Sequence, residues 1–148
     1  MCDAHEFIFD VDRAFADQLV DVLEGSPEHP LSQPEASAKF GVYVLYRAPD
    51  KKPVYVGQAV GTGGVAGRLR DHLHKIQYRK NISVDEITCR YLFIRQRWEV
   101  SRAEDALIAR YKPVWNGIPG FSMHVPGKGR PGMSDYINEW EKQFPRLP

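Results

Sequence analysis

Residues 41–72 read GVYVLYRAPDKKPVYVGQAVGTGGVAGRLRDH, and this stretch decides the fold. It holds two runs of β-branched and aromatic residues, 40–46 and 54–57, which favour strands. The segment between them, PDKKP at 49–53, has the composition of a turn. We therefore predict that the two runs pair as an antiparallel hairpin.

A helix is predicted to follow the hairpin. Gly61, Gly63 and Gly64 break the second run and permit backbone conformations that a side chain would forbid, and a helical pattern opens near Val65. An apolar stripe comprises Leu69, Leu73 and Ile76. The neighbouring face is basic and comprises Arg68, His72, Lys75 and Arg79. Taken alone, such a face is most simply a solvated helix surface.

Three further elements follow from periodicity and capping. We predict an N-terminal helix over 12–24, capped by Asp12, with an apolar stripe of Phe15, Leu19, Val22 and Leu23. Residues 28–37 are predicted to form a surface linker, and residues 87–94 a third strand. A final amphipathic helix should be capped by Ser134, and its apolar residues Ile137, Trp140 and Phe144 should form core or an oligomer contact.

Glu104 has two interpretations. With Ser101 it has the spacing of a capping box, which would make it the structural start of a helix. However, Glu104 shares a helix face with Ile108 and Tyr111, so its carboxylate is expected to face an apolar side and to need a cation there. Lys112 and the proline after it should end this helix.

Length and composition indicate one domain of an ordinary water-soluble type. The chain has 148 residues, with 43% hydrophobic and 26% charged residues, and no apolar run long enough to cross a membrane. The N-terminus is acidic, unlike a secretory signal. Cys2 and Cys89 lack metal-ligand spacing, so we expect reduced cysteines, no structural zinc site and a cytoplasmic location.

The charge is unevenly distributed although the net charge is only +1. Residues 1–38 contain nine acids and one base, whereas residues 39–80 contain nine bases and two acids. A basic surface that faces phosphates would produce this asymmetry. An acidic N-terminal segment folded over the basic one would produce it equally well.

Gly41-Val42-Tyr43, then Tyr55-Val56-Gly57, then Arg68 with His72 four residues later, resembles the sequence pattern of the GIY-YIG nuclease superfamily. Valine replaces both isoleucines and keeps the β-branched character. Glu104 and Asn116 fall where this superfamily has a glutamate and an asparagine, and the similarity spans residues 40–117. Within the superfamily, the compact layout most resembles the small Type II restriction endonucleases.

The resemblance implies a fold and an activity. The fold is α+β, a small three-stranded antiparallel sheet flanked by helices in one domain, with helix 12–24 before the nuclease core and a DNA-contacting loop and helix over 118–148. The activity is sequence-specific hydrolysis of double-stranded DNA at a palindromic site by a homodimer, encoded by a bacterium or a phage. The alternatives are a structure-specific repair or mobile-element nuclease and a non-catalytic nucleic-acid-binding domain.

The resemblance also implies roles for individual residues. Glu104 would hold one divalent metal ion, Mg²⁺ with Mn²⁺ as the alternative, and Arg68 would bridge phosphate oxygens. Tyr43 would be the general base, with its pKa lowered by nearby cations, while Tyr55 and His72 would orient the water or phosphate unless one of them is itself the base. Asn116 would contact the metal or its water. The expected DNA contacts are Lys75, Arg79, Arg95, Arg97, His124, Lys128 and Arg130.

Overall fold

The computed structural model describes residues 4–121 and 137–148. The elements are α1 (Val11–Glu24), β1 (His29–Pro30), β2 (Gly41–Arg47), β3 (Lys52–Ala59), α2 (Gly64–Ile76), β4 (Ile87–Phe93), α3 (Arg97–Tyr111) and α4 (Glu139–Gln143). Two 3₁₀ turns, Val84–Glu86 and Val114–Gly117, precede β4 and follow α3. The α+β class is therefore confirmed. In the described part of the chain, no helix has both the length and the apolar character needed to span a membrane.

The sheet has the strand order β1-β4-β2-β3, and all its pairs are antiparallel. The three long strands are the predicted ones. The prediction of a linker over 28–37 was incomplete, because His29–Pro30 pairs with Cys89 and Thr88 as a short edge strand. Two residues are too few for a periodic pattern. The imidazole of His29 also stacks on Tyr91, with ring centroids 5.5 Å apart.

Glycines at two positions let the strands approach closely. Gly41 lies between Ala59 of β3 and Phe93 of β4, and a Cβ at Gly41 would collide with the carbonyl oxygen of Leu92. Gly57 lies opposite Tyr43, whose phenol ring occupies the space that a side chain at Gly57 would need. In both Gly41-Val42-Tyr43 and Tyr55-Val56-Gly57, the glycine is therefore required because a side chain would not fit.

The central strand β2 is buried on both faces, so residues 41–46 are all buried. Its side chains alternate between two hydrophobic cores. Tyr43 and Leu45 pack on the side of α2, together with Leu69 and Trp140. The opposite core, on the side of α1 and α3, includes Val42, Val44, Val100, Ala103 and Leu107.

The helix boundaries differ from the predictions at two N-termini. Asp10, not Asp12, caps α1 by accepting a hydrogen bond from the Arg13 backbone N–H at 3.0 Å. The apolar stripe of this helix also differs: Val22 was predicted to face the core but is 54% exposed, and Val20 is buried instead.

The position at which α3 begins shows that Glu104 is not part of a helix N-terminal cap. The helix begins at Arg97, so Ser101 and Glu104 lie inside it and form no capping box. The Ser101 hydroxyl instead donates to the Gln58 side chain at 3.2 Å. A capping box does occur at Ser83 and Glu86, before β4.

The C-terminal helix is shorter than predicted. Asn138 caps α4, and the predicted cap Ser134 lies outside the described residues. Trp140 and Phe144 are buried in the core beside α2, whereas Ile137 is 57% exposed. Trp140 of α4 lies beside the C-terminal end of α2, where its ring contacts Lys75 and, beyond the helix, Arg79.

Candidate active site

Tyr43 of β2 and His72 of α2 form a buried hydrogen-bonded pair. The Tyr43 Oη lies 2.7 Å from His72 Nε2, and both side chains are almost completely buried. Residue 72 is brought here because α2 packs its inner face on the hairpin, with Leu69 and Ile76 one turn to either side in the core. The structure thus brings together two of the predicted site residues.

Burial keeps both partners of this pair neutral near pH 7. Desolvation, reinforced by Arg68 and Lys75, lowers the pKa of His72 from 6.5 to about 3. Desolvation, followed by Tyr55, raises the pKa of the Tyr43 phenol, and the guanidinium of Arg68 opposes this rise only in part. The prediction that nearby cations lower the pKa of Tyr43 was wrong, because burial outweighs them.

Arg68 connects the tyrosine–histidine pair to Glu104. Its guanidinium lowers the pKa of Tyr43 and that of Glu104, so one cation lies within electrostatic reach of both groups. Partial burial and then Asp105 raise the pKa of the Glu104 carboxyl, while Arg68 and a backbone hydrogen bond from Gln58 act against this rise. Arg68 itself is half-exposed and lies 3.8 Å from the Asp71 carboxylate. Arg68 and Glu104 thus lie within electrostatic reach of each other, on two helices that both contact β3.

Asn116 contacts the backbone of β3. Its Oδ1 accepts from the Val56 N–H at 2.9 Å, and its Nδ2 donates to the Val56 carbonyl at 2.8 Å. The side-chain amide therefore pairs with Val56 as a neighbouring strand would. This contact corrects the expectation of a metal or water contact: Asn116 fixes the strand segment that carries Tyr55 and Gly57.

Phe121 is a site residue that the sequence analysis missed. Its ring stacks on the His72 imidazole, with centroids 4.8 Å apart and an interplanar angle of 17°. Tyr55 meets both rings edge-on, at 4.9 Å from His72 and 4.9 Å from Phe121. The chain reaches this position through Gly120, whose φ of +107° favours glycine. The only sequence signal was an aromatic residue directly after a glycine.

The predicted basic face of α2 is interrupted, because His72 is buried and the helix ends at Ile76, three residues before Arg79. Arg79 is 8% exposed; it donates to the Phe144 carbonyl at 3.2 Å and lies 5.2 Å from the Trp140 ring centroid. The prediction of Arg79 as a direct DNA contact is corrected, since its side chain anchors α4. Lys75 lies at the edge of this region, with Nζ 5.6 Å from the Trp140 ring centroid.

A second basic region lies where α2 and α3 begin. Lys39, Phe93 and Arg95 line a cavity of about 550 Å³ at this end of the sheet. Arg97 is exposed and lies over the Phe40 ring at 5.8 Å. The two arginines were predicted from the sequence as DNA contacts, whereas Lys39 was not. The predicted contacts His124, Lys128 and Arg130 lie outside the described residues.

The donor set fits a single hard cation rather than a protein-enclosed metal site. Within residues 4–121 and 137–148, no group of three or more His, Cys, Asp or Glu residues could hold a metal. Glu104 offers one half-buried carboxylate, and Mg²⁺ prefers oxygen ligands and retains several waters. One carboxylate at a solvent-accessible edge meets that requirement.

The tyrosine hairpin, the arginine and histidine of α2 and the glutamate of α3 together define a GIY-YIG nuclease domain. The model of the Eco29kI GIY-YIG domain matches residues 35–145, so the chain belongs to that family.

Among solved structures, the chain is similar to the GIY-YIG N-terminal endonuclease domain of UvrC from Thermotoga maritima, bound to its catalytic divalent cation, magnesium. The identity is 18%, the TM-score is 0.41, and the alignment covers 74% of this chain and 99% of that one. No curated protein matches the sequence.

Proposed function

We propose that this protein is a divalent-metal-dependent Type II restriction endonuclease that hydrolyses double-stranded DNA at a palindromic site. The observation that carries the proposal is the buried pair of Tyr43 and His72, with Arg68 linking it to the half-buried Glu104. A protein that only bound DNA would have no need of a carboxylate beside the phosphate. Family membership supports the same activity, since Eco29kI is a restriction endonuclease.

Tyr43 and His72 would act together on the attacking water. With His72 neutral and its Nε2 carrying the lone pair, the Tyr43 hydroxyl would donate to it, and the buried phenol oxygen, which also interacts with Arg68 and Tyr55, would accept from the attacking water in the DNA complex. As the water oxygen bonds to phosphorus and the phosphorus–oxygen bond to the leaving group breaks, the water proton would pass to Tyr43 and the Tyr43 proton to His72, and the leaving oxygen would take a proton from solvent. The negative charge of bound DNA favours this transfer because it raises the pKa of His72. In this scheme the base is the pair rather than either residue alone.

Arg68 and Glu104 would stabilise the charge at the phosphoryl group. The planar guanidinium of Arg68 can contact two phosphate oxygens, and it is half-exposed and therefore available. Glu104 would hold Mg²⁺, with Mn²⁺ as the alternative, and the ion when bound would supply Lewis-acid stabilisation of phosphoryl charge. Burial favours loading of a cation beside Glu104, because it makes an unpaired carboxylate unfavourable.

The substrate would approach along a basic surface. Arg95 and Arg97 are exposed beside Lys39, near the N-terminal ends of the two helices that carry Arg68 and Glu104. His124, Lys128 and Arg130 remain proposed DNA contacts from the sequence alone. A homodimer would cut both strands of a palindrome, because each domain offers one such site. A restriction system would place the enzyme in the cytoplasm.

The test is cleavage of mixed-sequence phage DNA by the wild-type chain and two variants. Glu104→Gln removes the proposed metal ligand, and Asp105→Asn is the matched control, because it neutralises an exposed acid next to it on the same helix. We expect discrete fragments with Mg²⁺, none with EDTA, none with Glu104→Gln, and wild-type fragments with Asp105→Asn.

Other outcomes would replace the proposal. Cleavage confined to branched or nicked DNA would indicate a repair or mobile-element nuclease. Tight DNA binding without cleavage under any metal would indicate a non-catalytic binding domain. Equal cleavage by wild type and Glu104→Gln would rule out Glu104 as the metal ligand.

A further inference from the structure

The end of α2 and the C-terminal segment enclose a cavity of about 540 Å³ that the proposed mechanism does not use. We call it the C-terminal cleft. Its lining includes four basic side chains, one acid and one tyrosine: His74, Lys75, Arg79, Arg146, Glu141 and Tyr78.

The walls of the C-terminal cleft are fixed by hydrogen bonds. The Lys80 N–H donates to the Pro145 carbonyl at 2.7 Å, and the Leu147 N–H donates to the Tyr78 carbonyl at 2.8 Å. Arg79 closes the floor through its contact with the Phe144 carbonyl. These bonds join segments more than sixty residues apart, so the cleft is a defined part of the fold rather than a gap beside a loose end.

The cleft carries an excess of positive charge. Glu141 lies 3.8 Å from Arg79 and offsets that one cation. Burial and then Arg146 lower the pKa of Arg79, which places the second guanidinium close enough to act on the first. Lys75 and His74 add to the same lining. One carboxylate therefore faces several basic groups, which is the balance expected of an anion site.

Tyr78 at the mouth of the cleft has an unfavourable backbone conformation. Its φ is +58°, in the left-handed region that a residue with a side chain rarely adopts, and its side chain is 77% exposed. No burial of the ring offsets this conformation. An exposed aromatic ring held beside a basic cavity is typical of a surface that contacts nucleic acid.

The cleft also lies in line with the proposed catalytic residues. Arg68 and Lys75 are seven residues apart on α2 and therefore share a face, about 10 Å apart along the axis. Along the duplex axis one DNA strand advances about 3.4 Å per phosphate, so this spacing corresponds to about three phosphates when α2 lies parallel to that axis. A strand with its reacting phosphate at Arg68 can thus reach the cleft while still following α2.

We propose that the C-terminal cleft binds the DNA backbone about three phosphates from the cut, with Arg146 and Lys75 contacting phosphate and Tyr78 contacting the adjacent sugar or base. This inference rests on the proposed nuclease function, because it takes the reacting phosphate to lie at Arg68.

The first experiment measures the salt dependence of DNA binding. Wild type, Arg146→Ala and Arg13→Ala are titrated in EDTA with a labelled mixed-sequence duplex at several salt concentrations, by fluorescence anisotropy. Arg13→Ala is the control, because it removes an exposed arginine from α1, on the other side of the sheet. We expect Arg146→Ala to weaken binding several-fold and to reduce the slope of log K against log salt by about 0.9, with Arg13→Ala unchanged.

The second experiment uses Tyr78→Gly, for which a structural role and a binding role predict different results. Glycine adopts the left-handed conformation without strain, so the midpoint of thermal unfolding should rise. Loss of the ring should nevertheless weaken DNA binding. A rise in stability with unchanged affinity would exclude Tyr78 from the interface.

The outcomes separate this inference from the proposed function. If wild type cleaves DNA but Arg146→Ala keeps the wild-type affinity and salt slope, the cleft is not a phosphate site and the nuclease proposal stands. If wild type neither binds nor cleaves duplex DNA, both proposals fail. Ethylation interference at the mapped cut site completes the test: Arg146→Ala should lose sensitivity at one phosphate outside the cut and keep it elsewhere.

Discussion

Acidification should destabilise the folded protein through His72. Its pKa is about 3 in the folded state and 6.5 when unfolded, so between these values the unfolded chain binds more protons. The stabilisation is complete above pH 6.5 and is lost as the pH falls from 6.5 towards 3. The loss is about 1.4 kcal/mol per pH unit, or about 2 kcal/mol between pH 8 and pH 5.

The measurement is urea denaturation of wild type and His72→Gln at pH 8 and at pH 5. Glutamine does not titrate, whereas groups such as Glu28, whose pKa is lowered mainly by its hydrogen bond from Thr88, titrate equally in both proteins and cancel. We expect the stability advantage of wild type over His72→Gln to shrink by about 2 kcal/mol from pH 8 to pH 5. An advantage of the same size at both pH values would show that burial does not hold His72 neutral. The proposal that Tyr43 and His72 together act as the general base would then lose its support.

Three further perturbations test the packing of the site. Gly57→Ala should destabilise the protein by about 1–3 kcal/mol and abolish activity, because the new Cβ meets the Tyr43 phenol. Gly61→Ala is the control: its new Cβ meets nothing within 4 Å, so thermal unfolding should be nearly unchanged. Asn116→Ala should cost about 1–3 kcal/mol in urea denaturation, since it leaves the Val56 backbone without its partner. Phe121→Leu should raise the pKa of His72 towards 6.5 in an NMR titration, because the stacked ring excludes water from the imidazole; an unchanged titration would mean that other residues suffice.

The sequence predicted those parts of the fold that depend on local pattern. The hairpin, α2, β4 and the end of α3 at Lys112 carry strong periodicity or turn residues, and the structure has them within a few residues. The meeting of Tyr43 with His72 was not predicted by local pattern, because His72 was expected on the basic face of α2 and is instead buried beside the hairpin. The capping pattern at Ser101 misled because it occurs within a longer helix, where Val100 is buried and extends the helix towards its N-terminus.

Other features depend on residues distant in sequence, and local pattern could not predict them. The Asn116 amide reaches Val56, sixty residues away, and the Arg79 guanidinium reaches the Phe144 carbonyl, sixty-five away. The pKa of Tyr43 is another feature that local pattern could not predict. Nearby basic residues suggested a lowered pKa, but burial in the core beside α2 raises it. The sequence therefore predicted which ionisable residues lie near Tyr43 more reliably than the direction in which its pKa is shifted.

The edge of the sheet at β3 explains why the site is both open and rigid. An edge strand exposes unpaired backbone groups, which would ordinarily invite pairing with another chain. Here the Asn116 amide takes both polar groups of Val56, so the edge is closed at one residue without a further strand. Tyr55 and Gly57 flank that residue and are held with it, and Gly57 in turn leaves the space that the Tyr43 ring fills. A single amide thus fixes the edge while leaving room for Glu104 and Arg68 to face a substrate.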